Sequence, residues 1–404
     1  MSLWTIFALC LSSYLVYIRS QRYRRLQDLQ TTFSRWKESS TEITPLMAQK
    51  LVLQPLLYDM PFLGRLGAQV ALFKTYGIST ISQLLLKTGE LTVKSHMSKR
   101  VTDTAILISS VVACPLYRSI DGEDTNDPRS AIALARVNWL HGRYRISNDD
   151  MLYTLSLFVL EPMRLIAKFD WRPYSPEEQE CMYIIWQEIG RRMGIQDIPE
   201  TLEDLMAWSG KYENQHMVPS ESSRRLAELA INHISQRVPN ILGLPYVAKS
   251  LFISLLDERL RVAMMLPEQP RAVIIIVGLI TTLRAWIIRH CCLPRRNPSG
   301  YIVIDNPPSS VGPDGLTRWY TVVRQHNPWY FPAPTGWRKS VSKLKIMMGL
   351  EDPEHYPGPP FKCEGYRLEE LGPLRYEADG HTEVLAAAEA MYGAKIPSPW
   401  ARQT

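Results

Sequence analysis

The 404-residue chain carries 46 Lys and Arg against 40 Asp and Glu, a formal net charge of +6, and 46% of its residues are hydrophobic. That is core enough for one large or two ordinary domains. The basic residues are dispersed, which argues against a nucleic-acid-binding stripe, and a mild positive balance suits a membrane surface as well.

Ser2 to Ile18 is an uncharged apolar run of 17 residues, followed at once by Arg19, Arg22, Arg24 and Arg25. The length is at the short end for a membrane-spanning helix and suits a thin endoplasmic-reticulum bilayer. The basic flank predicts a single pass with the N-terminus in the lumen and the rest in the cytosol. A cleaved signal peptide fits less well, because a basic leader and a small-residue cleavage site are missing. Residues 26–44 read as a polar, helix-prone stalk.

Apolar helical segments follow near Pro45–Leu57, Phe62–Tyr76 and Ser79–Lys87. The next helix, about Ser98 to Cys114, carries Arg100, Asp103 and Thr104 at i, i+3 and i+4, so all three are expected on one face. That face is either an intrahelical ion pair at a solvated end or the polar lining above a cofactor. After a DGEDTND loop, Asp127-Pro128 is expected to start a helix. Along it Leu134, Val137 and His141 fall at i, i+3 and i+7, and Gly142 ends it. His141 is either a hydrogen-bonded core histidine or an axial haem ligand.

A Ser147-Asn148-Asp149-Asp150 corner predicts the start of a long helix, Met151 to Phe169, apolar on most faces and therefore central and buried. Pro162 lies inside it. Ser175-Pro176-Glu177-Glu178 is a capping box, and Pro199-Glu200-Thr201 opens another helix. Further helices are expected at Ser222–Arg237, Pro245–Met265 and Arg271–Cys291. The last contains an uncharged stretch, Ala272 to Leu283, too short to span a bilayer comfortably. It reads as a buried helix, with membrane-surface contact as the lesser option.

From Leu293 the chain turns rich in Pro, Trp, Tyr and Gly, as in Asn306-Pro307-Pro308 and Trp329-Tyr330-Phe331-Pro332. This tail is expected to wrap the bundle or lie on lipid. Strand signals are almost absent, so the fold is read as all-α. The expected division is an anchor with basic flank (1–25), a stalk (26–44), a helical domain (45–292) and a tail packing on it (293–404).

Several chemistries find no support. GxGxxG after a strand, GxxxxGK[ST], HExxH and GxSxG are missing, and the eight histidines are scattered. Six cysteines form neither a CxxC nor a paired framework, the pattern of a reducing compartment. Asp149 with Asp150 is better explained by a helix N-terminus than by paired catalytic carboxylates. What remains is a membrane-tethered apolar bundle suited to a lipophilic substrate and a cofactor that carries the hard chemistry.

The runs Tyr76-Gly77-Ile78-Ser79-Thr80-Ile81-Ser82, Lys87-Thr88-Gly89, Lys99-Arg100-Val101-Thr102-Asp103-Thr104, Arg136…Trp139-Leu140-His141 and Leu152-Tyr153-Thr154-Leu155 together resemble a known family. It is that of the fungal endoplasmic-reticulum-bound oxygenases of the mycophenolic acid pathway type, which share a catalytic domain with the bacterial rubber oxygenases (latex-clearing proteins). The resemblance runs to about Arg261 and loosely takes in Glu369–Gly380. It implies a large helical, globin-like bundle holding haem b, which cleaves a carbon–carbon double bond of an isoprenoid chain with dioxygen to give carbonyl products. On this resemblance His141 is the proximal ligand of the haem iron, and Arg100 and Thr104 match the distal Arg and Thr. Where the rubber oxygenases place a Lys before that Thr, this chain has Asp103, expected to pair with Arg100 and change the charge above the iron. The expected function is an oxygenase acting on a lipophilic secondary-metabolite intermediate at the endoplasmic-reticulum membrane. Two alternatives stay open: haem-dependent hydroxylation, dehydrogenation or rearrangement, and a non-catalytic helical scaffold.

Overall fold

The computed structural model describes residues 2–39, 42–120, 123–235, 238, 243–302, 310–312, 314–324, 327–348 and 353–401. The elements are almost all helical. In order they are α1 (Leu3–Arg22), α2 (Arg24–Glu38), α3 (Pro45–Gln54), α4 (Pro61–Thr75), α5 (Ser79–Thr88) and α6 (Lys94–Ala113). There follow α7 (Arg129–His141), α8 (Asn148–Phe169), α9 (Pro176–Arg192), α10 (Leu202–His216) and α11 (Glu221–Ser235). The last are α12 (Leu244–Ile253), α13 (Glu258–Ala263), α14 (Arg271–Cys291), α15 (Gly336–Met347) and α16 (His381–Tyr392). Strand structure among the described residues amounts to two antiparallel pairs of two-residue strands and one bridge, Trp319 to Tyr366. The all-α reading holds.

The chain forms two compact units, Met1–Leu84 with Ser147–Ser299, and Leu85–Ile146 with Gly300–Thr404. The second unit thus groups residues 85–146 with the tail, whereas the sequence boundaries put them inside one 45–292 segment. The tail's core-forming partners, α6 and α7, are what draw them together. The Asn306-Pro307-Pro308 motif lies outside the described residues.

In the first unit α8 is the central helix. Ser147 caps it through a bond from the Asp150 N–H, and Leu152, Tyr153, Leu155 to Pro162 and Leu165 are buried. α4 packs against it so closely that a Cβ on Gly67 would come within 2.5 Å of Pro162 Cα. Only a glycine permits that approach. The capping box of α9 is present in both directions, Ser175 to Glu178 and back.

Three expectations change here. The 26–44 stalk is not free-standing: in α2, Leu29 and Phe33 are buried, and Lys37 and Gln30 reach Glu180 and Glu177 of α9. The single helix expected at Pro245–Met265 is broken into α12 and α13, because Asp257 caps α13 and pairs with buried Lys74. The third change is α14, expected to be buried, which has only Val277 buried along its 21 residues. Its one mid-helix charge, Arg284, faces Asp170 on the body at 3.6 Å, and the Ile and Leu side chains point elsewhere.

In the second unit α7 packs against α6, α16 and the turn Leu368–Glu370. The tail is fastened by buried polar groups: Arg367, fully enclosed, bonds to Glu369 and to the carbonyls of Thr317 and Trp400. Trp400 stacks on Trp319 with ring centres 4.3 Å apart. The tail therefore packs on these helices. None of the six cysteines is in a disulfide.

Candidate functional site

Helix α6 presents two pairs of polar side chains, each at i, i+4 spacing and offset by one residue. One helical step turns a side chain by about 100°, so the pairs face different surroundings. Lys99 and Asp103, both buried, form a 2.7 Å ion pair turned toward the tail. Lys99 also donates to the Gly372 carbonyl at 2.8 Å. Asp103 accepts from the Gly372 N–H and from the Tyr330 hydroxyl, each at 2.9 Å. Both carboxylate oxygens and the ammonium are thus hydrogen-bonded within the unit.

Arg100 and Thr104 make up the other pair. Both are half-buried, and neither makes an ion pair or side-chain hydrogen bond with another described residue. Arg100 lines a recess with Glu90, His96, Lys99 and Gly372 to Leu374. The expected Arg100–Asp103 pairing is therefore corrected. Lys99, one turn before Asp103 on the same face, is the nearer cation, and Tyr330 and Gly372 hold the carboxylate away from Arg100.

His141 ends α7 just before Gly142. Its ring Nδ1 is enclosed and has no hydrogen-bond partner. Burial first, and then the positive charge of Arg100, push the imidazole pKa down to about 4. A helix C-terminus favours a charged histidine, but here desolvation and Arg100 outweigh it. His141 is consequently neutral at physiological pH, the state in which imidazole binds a metal. Arg100 is thus close enough for its charge to act on His141, while it also borders the recess beside Gly372 to Leu374.

Around this group the backbone is held rigidly. Arg136, fully enclosed, donates to the carbonyls of Leu371, Tyr376 and Asp379 at 2.7–2.8 Å. Its guanidinium also lies 4.7 Å from the centre of the Trp139 ring. Gly372 sits at φ +123°, and a Cβ there would come within 2.9 Å of Leu140, the neighbour of His141. The loop Leu371–Asp379 thus clamps α6 through Lys99 and Asp103, and α7 through Arg136.

Of the four residues singled out in the sequence, Arg100, Thr104 and His141 fall in one unit, and among the described residues the Arg100 and Thr104 side chains and His141 Nδ1 have no hydrogen-bond partner. Asp103 belongs instead to the scaffold. Lys99, Gly372 and Tyr330 were missed as positioning groups. The i, i+4 spacing of Lys99 and Asp103 was a usable signal, whereas nothing local links either residue to the tail. Among the described residues no three His, Cys, Asp or Glu side chains gather into a metal site. A single unpartnered neutral imidazole fits an iron whose other ligands come from a macrocycle.

Residues 81–285 match the family model described as ER-bound oxygenase mpaB/B'/Rubber oxygenase, catalytic domain. The chain is 29% identical over 396 residues to ER-bound oxygenase mpaB' of Penicillium brevicompactum, covering 93% of this chain and 89% of that protein. It is 34% identical over 286 residues to ER-bound oxygenase mpaB of Penicillium roqueforti (strain FM164), covering 66% and 91% respectively. To ER-bound oxygenase mpaB of Penicillium brevicompactum it is 34% identical over 242 residues, covering 56% and 59%. With the matched segment spanning α6, α7 and α8, the chain belongs to the ER-bound oxygenase mpaB/B' and rubber oxygenase catalytic-domain family and is an oxygenase, an oxidoreductase that uses dioxygen.

Proposed function

We propose that this oxygenase is haem-dependent, is anchored in the endoplasmic-reticulum membrane, and oxidatively cleaves a C=C bond in a lipophilic isoprenoid or meroterpenoid intermediate. The observation that carries the reading is His141: neutral, half-buried, and with its ring Nδ1 enclosed and unpartnered. An imidazole left without a hydrogen bond inside a protein is destabilising, unless the group it serves is a ligand. Haem b, when bound, supplies the iron that reacts with dioxygen, and His141 is the residue that would hold it.

The other residues act around that centre. Arg100 adds to burial in keeping His141 deprotonated and offers N–H donors, and Thr104 offers a hydroxyl, to dioxygen or to a polar group of the substrate. The Lys99–Asp103–Tyr330 set and Arg136 fix the two helices that carry these groups.

The helix α1 is long and apolar enough to cross a membrane, and the arginines from Arg19 to Arg25 orient it with the catalytic part in the cytosol. The relatives' names place them at the endoplasmic reticulum, and an anchor there brings the site to where lipophilic intermediates partition.

Cleavage of a C=C bond consumes one dioxygen and leaves one oxygen atom on each new carbonyl. The test is to incubate the full-length, haem-loaded protein with a prenylated phenol under ¹⁸O₂ and analyse products by mass spectrometry. Label in both carbonyl fragments supports the reading. Label in an alcohol of unchanged carbon count assigns hydroxylation instead.

A further inference from the structure

Helix α14 is uncharged from Ala272 to Leu283, yet its apolar side chains face outward: Ile275 is 60% exposed, Leu279 64% and Trp286 55%. A monomeric soluble protein does not leave so long an apolar helix face in water. We propose that α14 is a second membrane contact, lying in the headgroup layer with this face in the acyl chains of one leaflet. The inference rests on the reading of α1 as the anchor.

Three observations choose a lipid surface over a protein partner. First, α14 is tied to α1 at the level where α1 leaves the hydrocarbon. The Tyr14 hydroxyl donates to the Cys291 carbonyl at 3.2 Å, Arg22 to the Cys292 carbonyl, and Arg25 to the Arg295 carbonyl at 2.5 Å. Since the α1 apolar run ends at Ile18, those bonds hold the C-terminal end of α14 at headgroup depth.

Second, charge is complementary to anionic lipid. Residues 271–300 hold five arginines (Arg271, Arg284, Arg289, Arg295, Arg296) and no acidic residue, and basic side chains beside a membrane are drawn to its anionic headgroups. Third, although the 21 residues of α14 are long and apolar enough to cross a membrane, the placement of its charges favours the surface. The Ala272–Leu283 run is 12 residues, about 18 Å of helix, against about 30 Å of hydrocarbon. Arg284 is held to Asp170 on the body of its unit, which keeps the helix at the surface. Trp286, near the basic end, is the residue type that favours the interface.

The test uses the full-length wild-type protein in phosphatidylcholine vesicles containing phosphatidylserine. A bilayer-partitioning diazirine is photolysed and adducts are mapped by peptide mass spectrometry. The reference is the peptide bearing Met206, an exposed α10 side chain at 49%. We expect adducts on the Leu3–Ile18 peptide and, several-fold above the Met206 peptide, on the 272–288 peptide. Adducts on α1 with none above reference on 272–288 would overturn the second contact and leave the anchor standing. If protein–protein crosslinks through α14 appear in that case, a second copy covers the face. Adducts on neither would overturn the anchor reading itself.

Discussion

Each unit buries charge, and the two do it in opposite ways. In the first unit Lys74, 1% exposed, is surrounded by Glu161 at 3.1 Å, Glu213 at 2.9 Å and Asp257 at 2.8 Å. Burial pushes its ammonium pKa down, but the three carboxylates more than offset that and hold it up. Glu161 in turn binds Arg164, and Glu213 takes the Tyr153 hydroxyl. This is a closed network joining α4, α8, α10 and the α13 cap. In the second unit, among the described residues, Arg100 and Thr104 make no ion pair or side-chain hydrogen bond and His141 Nδ1 has no partner, beside a scaffold in which Lys99 and Asp103 pair with each other and with the tail. A closed network holds a fold together, whereas an open one costs stability and is kept where function uses it.

The largest expected effect tests the closed network. Lys74→Ala strands the carboxylates and is expected to lower stability by about 3–5 kcal/mol, read by thermal unfolding in detergent. A loss under about 1 kcal/mol would mean the network is solvent-relaxed. Next, Asp103→Ala should cost about 3 kcal/mol, because Lys99, Tyr330 and Gly372 lose their acceptor. That loss marks Asp103 as scaffold. Unchanged stability with abolished turnover would restore it to the reacting group.

The pH dependence separates the two kinds of site further. The folded His141 pKa, about 4, lies below the ordinary 6.5. Between those values the unfolded chain binds a proton that the folded chain refuses, so the apoprotein loses stability as pH falls from 6.5 toward 4. The loss reaches at most about 3 kcal/mol, less in practice because the residue is only half-buried. Chemical denaturation of wild type and His141→Gln across that range checks it, the variant lacking this part of the slope. Gly372→Ala, which meets Leu140 and strains a left-handed φ, is expected to cost about 1–3 kcal/mol. The smallest effect belongs to Thr104→Val in the apoprotein, under about 1 kcal/mol, since its hydroxyl has no bond to lose.

The sequence carried the architecture well where signals are local. The Ser147 corner, the Ser175–Glu178 capping box and the apolar faces of α8 are all properties of neighbouring residues. The same locality explains the failures. Asp103 was assigned to Arg100 because i, i+3 spacing permits it, but a tail residue more than 200 positions away, Tyr330, helps decide which way the carboxylate turns. α14 was taken for a core helix because an apolar run does not say whether protein or lipid covers it. α2, polar enough to read as a stalk, buries Leu29 and Phe33 against partners that spacing does not reveal. The site was legible in part: Arg100 and Thr104 are one turn apart on one helix, but the reach of the Arg100 charge to His141 needs α6 and α7 packed together.

The most direct test of the open site is the absorption spectrum of full-length protein purified in detergent after haem-supplemented expression, compared with His141→Ala prepared identically. Our reading predicts a Soret band in the wild type that the variant loses while keeping its thermal unfolding transition. A wild-type spectrum without haem, or a variant that retains full haem, would contradict His141 as the ligand.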